Sequence, residues 1–215
     1  MAVANALIEL AGVAGPPMFS GQPGATTASV VAFWAVFCVW LGSEWWLAYR
    51  LHRIPSDATN RDAGSKWWLI ASVWGTAAAG IGLGFAFPGA AITKGRIEVF
   101  VVGLALMVAG MALRWYSIRV LGASFTMDIA TRPGQAVMQS GPYRRIRHPS
   151  YTGALLTLLG VLVCCVNFAS LAALALALAG YTLRIRVEER ALATQLGLPY
   201  REYMRHTKRL IPFLI

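Results

Sequence analysis

Acidic side chains are scarce in this sequence: nine Asp and Glu stand against nineteen Lys and Arg in 215 residues. Charged residues of both signs make up only 13%, where a soluble domain carries about 25%. With 57% hydrophobic residues, that shortage excludes an ordinary water-facing surface and points to an integral membrane protein. Cysteine is scarce too. Cys38, Cys164 and Cys165 all fall inside apolar runs, so neither a disulfide framework nor a metal site is expected. The first fifteen residues lack a basic n-region, so a cleaved signal peptide is not expected. The C-terminal Pro212-Phe213-Leu214-Ile215 lacks the cysteine box that would direct prenylation.

A net charge of +10 raises nucleic acid as a partner. The distribution speaks against it. The basic residues sit in short stretches between apolar runs and form no single soluble face. There they act as topology signals and as contacts for anionic membrane lipids.

Apolar runs divide the chain. Residues 1–24 are dotted with Gly and Pro and form an N-terminal arm. Spans are expected over 25–49, 67–87 and 97–118, each edged by Trp or Tyr as an aromatic belt requires. Glu44 falls within the first of them. A carboxylate at membrane depth marks a functional site by default, but so near the end it could instead reach the interface or pair with Arg50. Residues 120–150 are polar and too long for an idle connection. Residues 151–183 are apolar but broken near Asn167. They suit a helical hairpin of two arms of about sixteen residues each, short for a bilayer core. The tail from Arg184 onward is polar at helical spacing, interrupted at Gly197 and Pro199. The expected architecture is an all-α integral membrane domain of about five transmembrane helices.

Of the nineteen Lys and Arg, only Lys94 and Arg96 fall between the second and third spans. The positive-inside rule then places the 50–66 loop, the 120–150 loop and the C-terminal tail together in the cytosol. Two polar clusters meet on that side: Gly141-Pro142-Tyr143-Arg144-Arg145-Ile146-Arg147-His148-Pro149-Ser150-Tyr151-Thr152-Gly153, and Arg184-Ile185-Arg186-Val187-Glu188-Glu189-Arg190.

Each motif has a plain structural account beside a chemical one. Gly80-Ile81-Gly82-Leu83-Gly84 looks like a dinucleotide loop, but it lies inside a span, where small residues serve close helix packing. Pro149 suits the first turn of a helix, and that turn offers free N–H groups to an anion. Arg184 and Glu188, four apart, share a helix face as an ordinary ion pair would. Glu189 lies further around the same helix, within reach of Arg186 or Arg190.

Taken together these segments resemble the isoprenylcysteine carboxyl methyltransferase family. The residues that carry the likeness are Gly141-Pro142-Tyr143, Arg147 to Gly153, Arg184 with Glu188-Glu189, and Gly197-Leu198-Pro199-Tyr200-Arg201-Glu202-Tyr203 leading to Arg209-Leu210-Ile211-Pro212. They lie within about residues 120–215. The resemblance implies one membrane domain over 1–215, with 119–215 as its catalytic half. It also implies an S-adenosylmethionine site formed by the 120–150 loop and the C-terminal segment. By the same resemblance the cofactor would be held by Gln135, Met138, Tyr143, His148, Pro149, Ser150, Tyr151 and Glu188. Arg184 would bind the acceptor carboxylate as the catalytic and substrate-binding residue.

The implied activity is methyl transfer to the carboxylate of an isoprenylated cysteine or another lipophilic acceptor; the Ala-, Gly- and Arg-rich composition and short length point to a bacterial chain and so to an inner membrane. Three alternatives remain: methylation of a phospholipid-type acceptor, an NADPH-dependent reductase of sterol-reductase type, and a non-enzymatic membrane scaffold. Oligomeric state is not legible.

Overall fold

The computed structural model describes residues 27–52, 64–122 and 137–211. Within them every long apolar run is a helix, because a backbone in lipid must satisfy its own hydrogen bonds. In order these are α1 (Thr27–His52), α2 (Ser65–Ala86), α3 (Arg96–Leu121), α4 (Pro149–Cys164), α5 (Leu174–Gln195) and α6 (Leu198–His206). No strand occurs among the described residues; two isolated bridges tie turns together. Four stretches are long and apolar enough to cross a membrane: Ala28–Arg50, Ser65–Ala86, Arg96–Leu121 and Ala169–Gln195. α4, with 16 residues, reaches only about 24 Å at 1.5 Å per residue, short of a ~30 Å hydrocarbon core. Exposed Trp45, Trp46, Trp67, Trp68 and Tyr116 lie near the ends of α1, α2 and α3 on the side of the two polar clusters, as an interfacial belt does. The chain is a multi-pass integral membrane protein.

The 151–183 hairpin forms, but its arms are unequal. The first ends at Cys164, and the second runs unbroken through Arg184–Arg190 to Gln195. No Gly or Pro interrupts it after Gly180 until Gly197, which has φ +64° and separates α5 from α6. The turn falls where Asn167 predicted it. Val166 takes a left-handed φ of 51°, and Asn167 Nδ2 donates to the carbonyls of Gly84 at 3.3 Å and Phe87 at 3.0 Å. Ala169 N–H donates to Asn167 Oδ1 at 2.8 Å. One amide thus ties the far end of α2 to the hairpin without any charge.

Helices meet through two kinds of seam. Along α1, Val30, Phe33, Phe37, Trp40 and Leu47 are buried at intervals of three, four or seven, one stripe of a helix. The rings of Phe33, Phe37 and Trp40 pack in series, 5.6 and 5.4 Å apart. Between α3 and α4 the backbones touch instead. A Cβ at Gly110 would lie 2.5 Å from the Gly153 carbonyl oxygen, and one at Gly160 would lie 2.6 Å from the Gly103 carbonyl oxygen. Small residues permit this approach in membranes. The Gly80-Gly82-Gly84 run does pack as expected at Gly80, where a Cβ would strike Leu162, whereas Gly82 faces open space.

Candidate functional site

The 3-10 turn Gly141–Arg144 opens the site. Its Gly141 has φ +55°, a conformation that L side chains resist. Tyr143 is buried in that turn and its hydroxyl donates to the Ser117 carbonyl of α3 at 3.4 Å. Burial, then the nearby Glu188 charge, pushes the Tyr143 phenol well above its ordinary range, so it stays neutral. The chain next runs extended beside the C-terminal segment as a short parallel pairing. Arg147 N–H donates to the Lys208 carbonyl at 2.7 Å, and His148 N–H to the Arg209 carbonyl at 3.0 Å. Pro149 then starts α4 at its first position, where the missing N–H is no loss. Two side chains complete the lashing. Tyr203 O–H donates to the Tyr143 carbonyl at 2.7 Å, and Thr152 Oγ1 donates to the Leu210 carbonyl at 2.7 Å.

Glu189 is the hub of this lashing. Arg147 Nε donates to its Oε1 at 2.7 Å, Arg209 Nε donates to its Oε2 at 3.0 Å, and His148 Nε2 lies 3.4 Å from Oε1. Arg147 also donates through NH1 to the carbonyls of Met204 and Thr207. The expected pairing of Glu189 with Arg186 or Arg190 is not what forms. Those two arginines are exposed, while Glu189 points inward. A buried carboxylate needs such charged donors, and these come from residues distant in sequence.

Glu188 serves a different group. Tyr151 O–H donates to Glu188 Oε2 at 2.6 Å. The same phenol oxygen accepts from Arg184 Nε at 3.4 Å. Arg184 NH1 donates to Ser65 Oγ at the start of α2 at 2.8 Å. Tyr151 therefore stands between the two members of the expected i,i+4 pair. His148 stacks on Tyr151 with ring centroids 5.5 Å apart and an angle of 7°. The other face of the group is Tyr181, 5.3 Å from the Tyr151 ring. His148 Nδ1 lies 3.9 Å from Glu188 Oε1.

A third carboxylate comes from outside both clusters. Arg114 of α3 grips Glu44 of α1 with two parallel bonds, Nε to Oε1 at 2.5 Å and NH2 to Oε2 at 2.8 Å. Its remaining NH1 donates to Ser150 Oγ at 3.0 Å. The sequence offered Arg50 as partner for Glu44. The guanidinium of Arg50 instead lies 5.0 Å above the Trp46 ring.

Among the residues implied by resemblance, Tyr143, His148, Pro149, Tyr151, Glu188 and Arg184 gather at this one end, where α4 and α5 meet the C-terminal segment. Ser150 is there too, but its hydroxyl faces Arg114. The Met138 sulfur accepts from Ser140 Oγ at 3.1 Å. Gln135 lies outside the described residues. Sequence reasoning missed Ser65, Arg114 and the inward role of Glu189. The advance signal for Arg114 was a charge well inside the expected 97–118 span, far from Glu98 at its other end.

The carboxylates, aromatic rings and arginines at this end suit a small ligand that carries both charges. Glu188, with 26% of its side chain exposed, can take an ammonium. Stacked aromatic faces accommodate a diffuse cation such as a sulfonium, and an arginine fork orients a carboxylate.

In sequence, the chain is similar to known proteins over part of its length. The sequence model of the isoprenylcysteine carboxyl methyltransferase (ICMT) family matches residues 102–194. A probable protein-S-isoprenylcysteine O-methyltransferase of Oryza sativa subsp. indica is 32% identical over 116 residues, 53% of this chain and 61% of that protein. Protein-S-isoprenylcysteine O-methyltransferase A of Arabidopsis thaliana is 32% identical over 115 residues, 52% of this chain and 58% of the relative. The match thus spans about six-tenths of the length of these curated relatives. A solved structure of a eukaryotic intramembrane Ras methyltransferase, isoprenylcysteine carboxyl methyltransferase, superposes with a TM-score of 0.61 at 21% identity, covering 99% of this chain and 76% of that one. At that identity the likeness shows a shared fold.

Proposed function

From a chain whose residues 102–194 match the sequence model of the isoprenylcysteine carboxyl methyltransferase family, we propose a membrane methyltransferase that esterifies the carboxylate of an isoprenylated cysteine or a similar lipophilic acceptor. The observation that carries this reading is the Tyr151 phenol, shared between Glu188 and Arg184. It sets an acidic group for a cationic donor beside a guanidinium for an anionic acceptor. S-adenosylmethionine, when bound, would supply an electrophilic methyl group that a carboxylate oxygen can take by in-line displacement, the S–CH3 bond breaking as the ester O–CH3 bond forms and the sulfur leaving as a neutral thioether.

Everything else falls to the protein's own residues. An acceptor carboxylate has a reference pKa near about 4 and is already ionised at neutral pH, so no side chain need act as a base. Arg184 orients that carboxylate. It is buried and already bonded to Ser65 and Tyr151, so its hold on a ligand is shared and moderate. That suits a nucleophile whose charge is consumed in the transition state. Tyr143, the His148–Tyr151 turn and Glu188, with Met138 and Gln135, would hold the cofactor. The stacked rings of His148 and Tyr151, with Tyr181 tilted against Tyr151, wall the group on one side. A lipophilic acceptor reaches the group sideways from the bilayer. The basic end faces the cytosol by the positive-inside rule, consistent with an inner membrane of a bacterium. Residues 119–215 form the catalytic half of one domain.

Calorimetry on the detergent-purified protein tests the reading, with S-adenosylmethionine and a phosphorylated nicotinamide titrated separately. S-adenosylmethionine binding that Glu188→Ala abolishes, followed by transfer of labelled methyl to a prenylcysteine, is the expected result. Nicotinamide binding alone would replace the methyltransferase by a reductase. Binding of neither would leave a scaffold.

A further inference from the structure

The Glu44–Arg114 pair takes no part in the chemistry proposed above, yet it reaches the first turn of α4 through Ser150. Its geometry is demanding. A carboxylate and a guanidinium face each other in a two-bond fork, the strongest arrangement available to this pair. The third donor of the same guanidinium reaches Ser150 Oγ at 3.0 Å. Arg114 retains 11% of its side-chain exposure and Glu44 29%; an ionisable pair so placed in spanning helices is costly unless it has a task.

Electrostatics makes Glu44 necessary. Arg114 sits at the amino end of α4, where the helix macrodipole is positive. A bare guanidinium would be repelled from that place. Paired with Glu44, it approaches as a near-neutral unit and keeps its bond to Ser150. The neighbours of Ser150 in the turn are His148, whose carbonyl accepts from Tyr151 and Thr152 N–H at 3.0 Å each, and Tyr151 itself. Fixing Ser150 therefore fixes the His148–Tyr151 stack and the phenol that Glu188 and Arg184 share.

We propose that Glu44 and Arg114 are positioning residues, a strut through which the first membrane helix sets the orientation of the α4 first turn for cofactor binding. The inference rests on the methyltransferase reading for the ligand alone; the strut itself is a property of the apo protein. It also gives α1, which lies outside residues 102–194, a part in the site.

Two measurements on the full-length protein in detergent test it together. Hydrogen exchange reports the amides of residues 150–153. Calorimetry reports the dissociation constant for S-adenosylmethionine. Both are made on wild type, Glu44→Gln, Ser150→Ala and the double variant. Each single change should speed exchange in that turn by about tenfold, the scale of one hydrogen bond to a charged group, while exchange around Asn167 stays as it was. Each should weaken the cofactor by a similar factor, and the double variant should lose no more than the worse single one. Glu44→Asp should recover part of the loss. Unchanged exchange in the turn, or additive losses in the double variant, would overturn the strut. A wild type whose turn responds to Glu44→Gln but which binds no S-adenosylmethionine would sink the methyltransferase reading and leave the strut standing.

Discussion

Glu188 and Glu189 are adjacent on one helix and do opposite work. Glu189 turns inward with only 5% of its side chain exposed and is met by Arg147, His148 and Arg209. Glu188 keeps 26% exposure and one strong partner, the Tyr151 phenol. One carboxylate is spent on joining the C-terminal segment to the start of α4. The other stays partly exposed beside the Tyr151 phenol. The difference follows from geometry: successive residues on a helix point about 100° apart, so one faces the packed segment and the other the more exposed side beside Tyr151. On the function proposed above, full satisfaction marks the structural carboxylate and partial satisfaction the one that would meet the cofactor.

The sharpest way to break this contrast is Glu189→Ala. It strands Arg147 in a buried place, and breaking such a pair costs about 3–5 kcal/mol. Thermal unfolding in detergent should fall steeply and the C-terminal segment should become protease-sensitive. An unchanged melting temperature would remove the structural role given to Glu189. Glu188→Gln should leave melting where it is and cost about tenfold or more in S-adenosylmethionine affinity, ~1.4 kcal/mol. If melting drops instead, the two glutamates are alike and the contrast collapses.

Tyr151→Phe keeps the stack on His148 but removes the oxygen shared by Glu188 and Arg184. A loss of about 1.5–3 kcal/mol per hydrogen bond to a charged group should show in kcat/KM for methyl transfer more than in melting. Arg209→Ala is milder than Glu189→Ala, because Arg209 is 43% exposed and such a pair contributes about 0–1 kcal/mol. Alkaline pH gives the smallest and most gradual test. Burial raises the Tyr203 phenol from 10.0 to about 12, so the folded state holds that proton more tightly. The stability it lends is intact below about pH 10 and drains away as pH climbs toward 12. Tyr203→Phe should flatten that part of the alkaline melting curve.

Much of the architecture was legible because membrane helices announce themselves through length and hydropathy. The three early spans, the turn at Asn167 and the break at Gly197 all sit where apolar runs and breakers put them. The site was legible only as two sequence clusters. Helical spacing suggests partners three or four residues away, which is why Glu189 was matched to Arg186 and Arg190. Its real partners, Arg147 and Arg209, are separated from it by 42 and 20 positions. Glu44 and Arg114 are 70 apart, and no local pattern links them. The α3–α4 glycines were missed for a related reason. Their spacing on each helix is readable, but which helix would face which is decided by the bundle.

Those glycines have a mechanical consequence. Gly103 and Gly110 on α3 meet Gly160 and Gly153 on α4, seven residues apart on both helices. A single contact of this kind would be a pivot, free to rock. Two in line act as pegs on a rail, and they fix sliding and tilt at once. A shift by one helical turn would drive side chains into backbone at both pegs. Arg114, four residues beyond Gly110, is therefore delivered to Ser150, three residues before Gly153, at a height fixed by backbone contact. The alignment is machined into the bundle before any charge is paired.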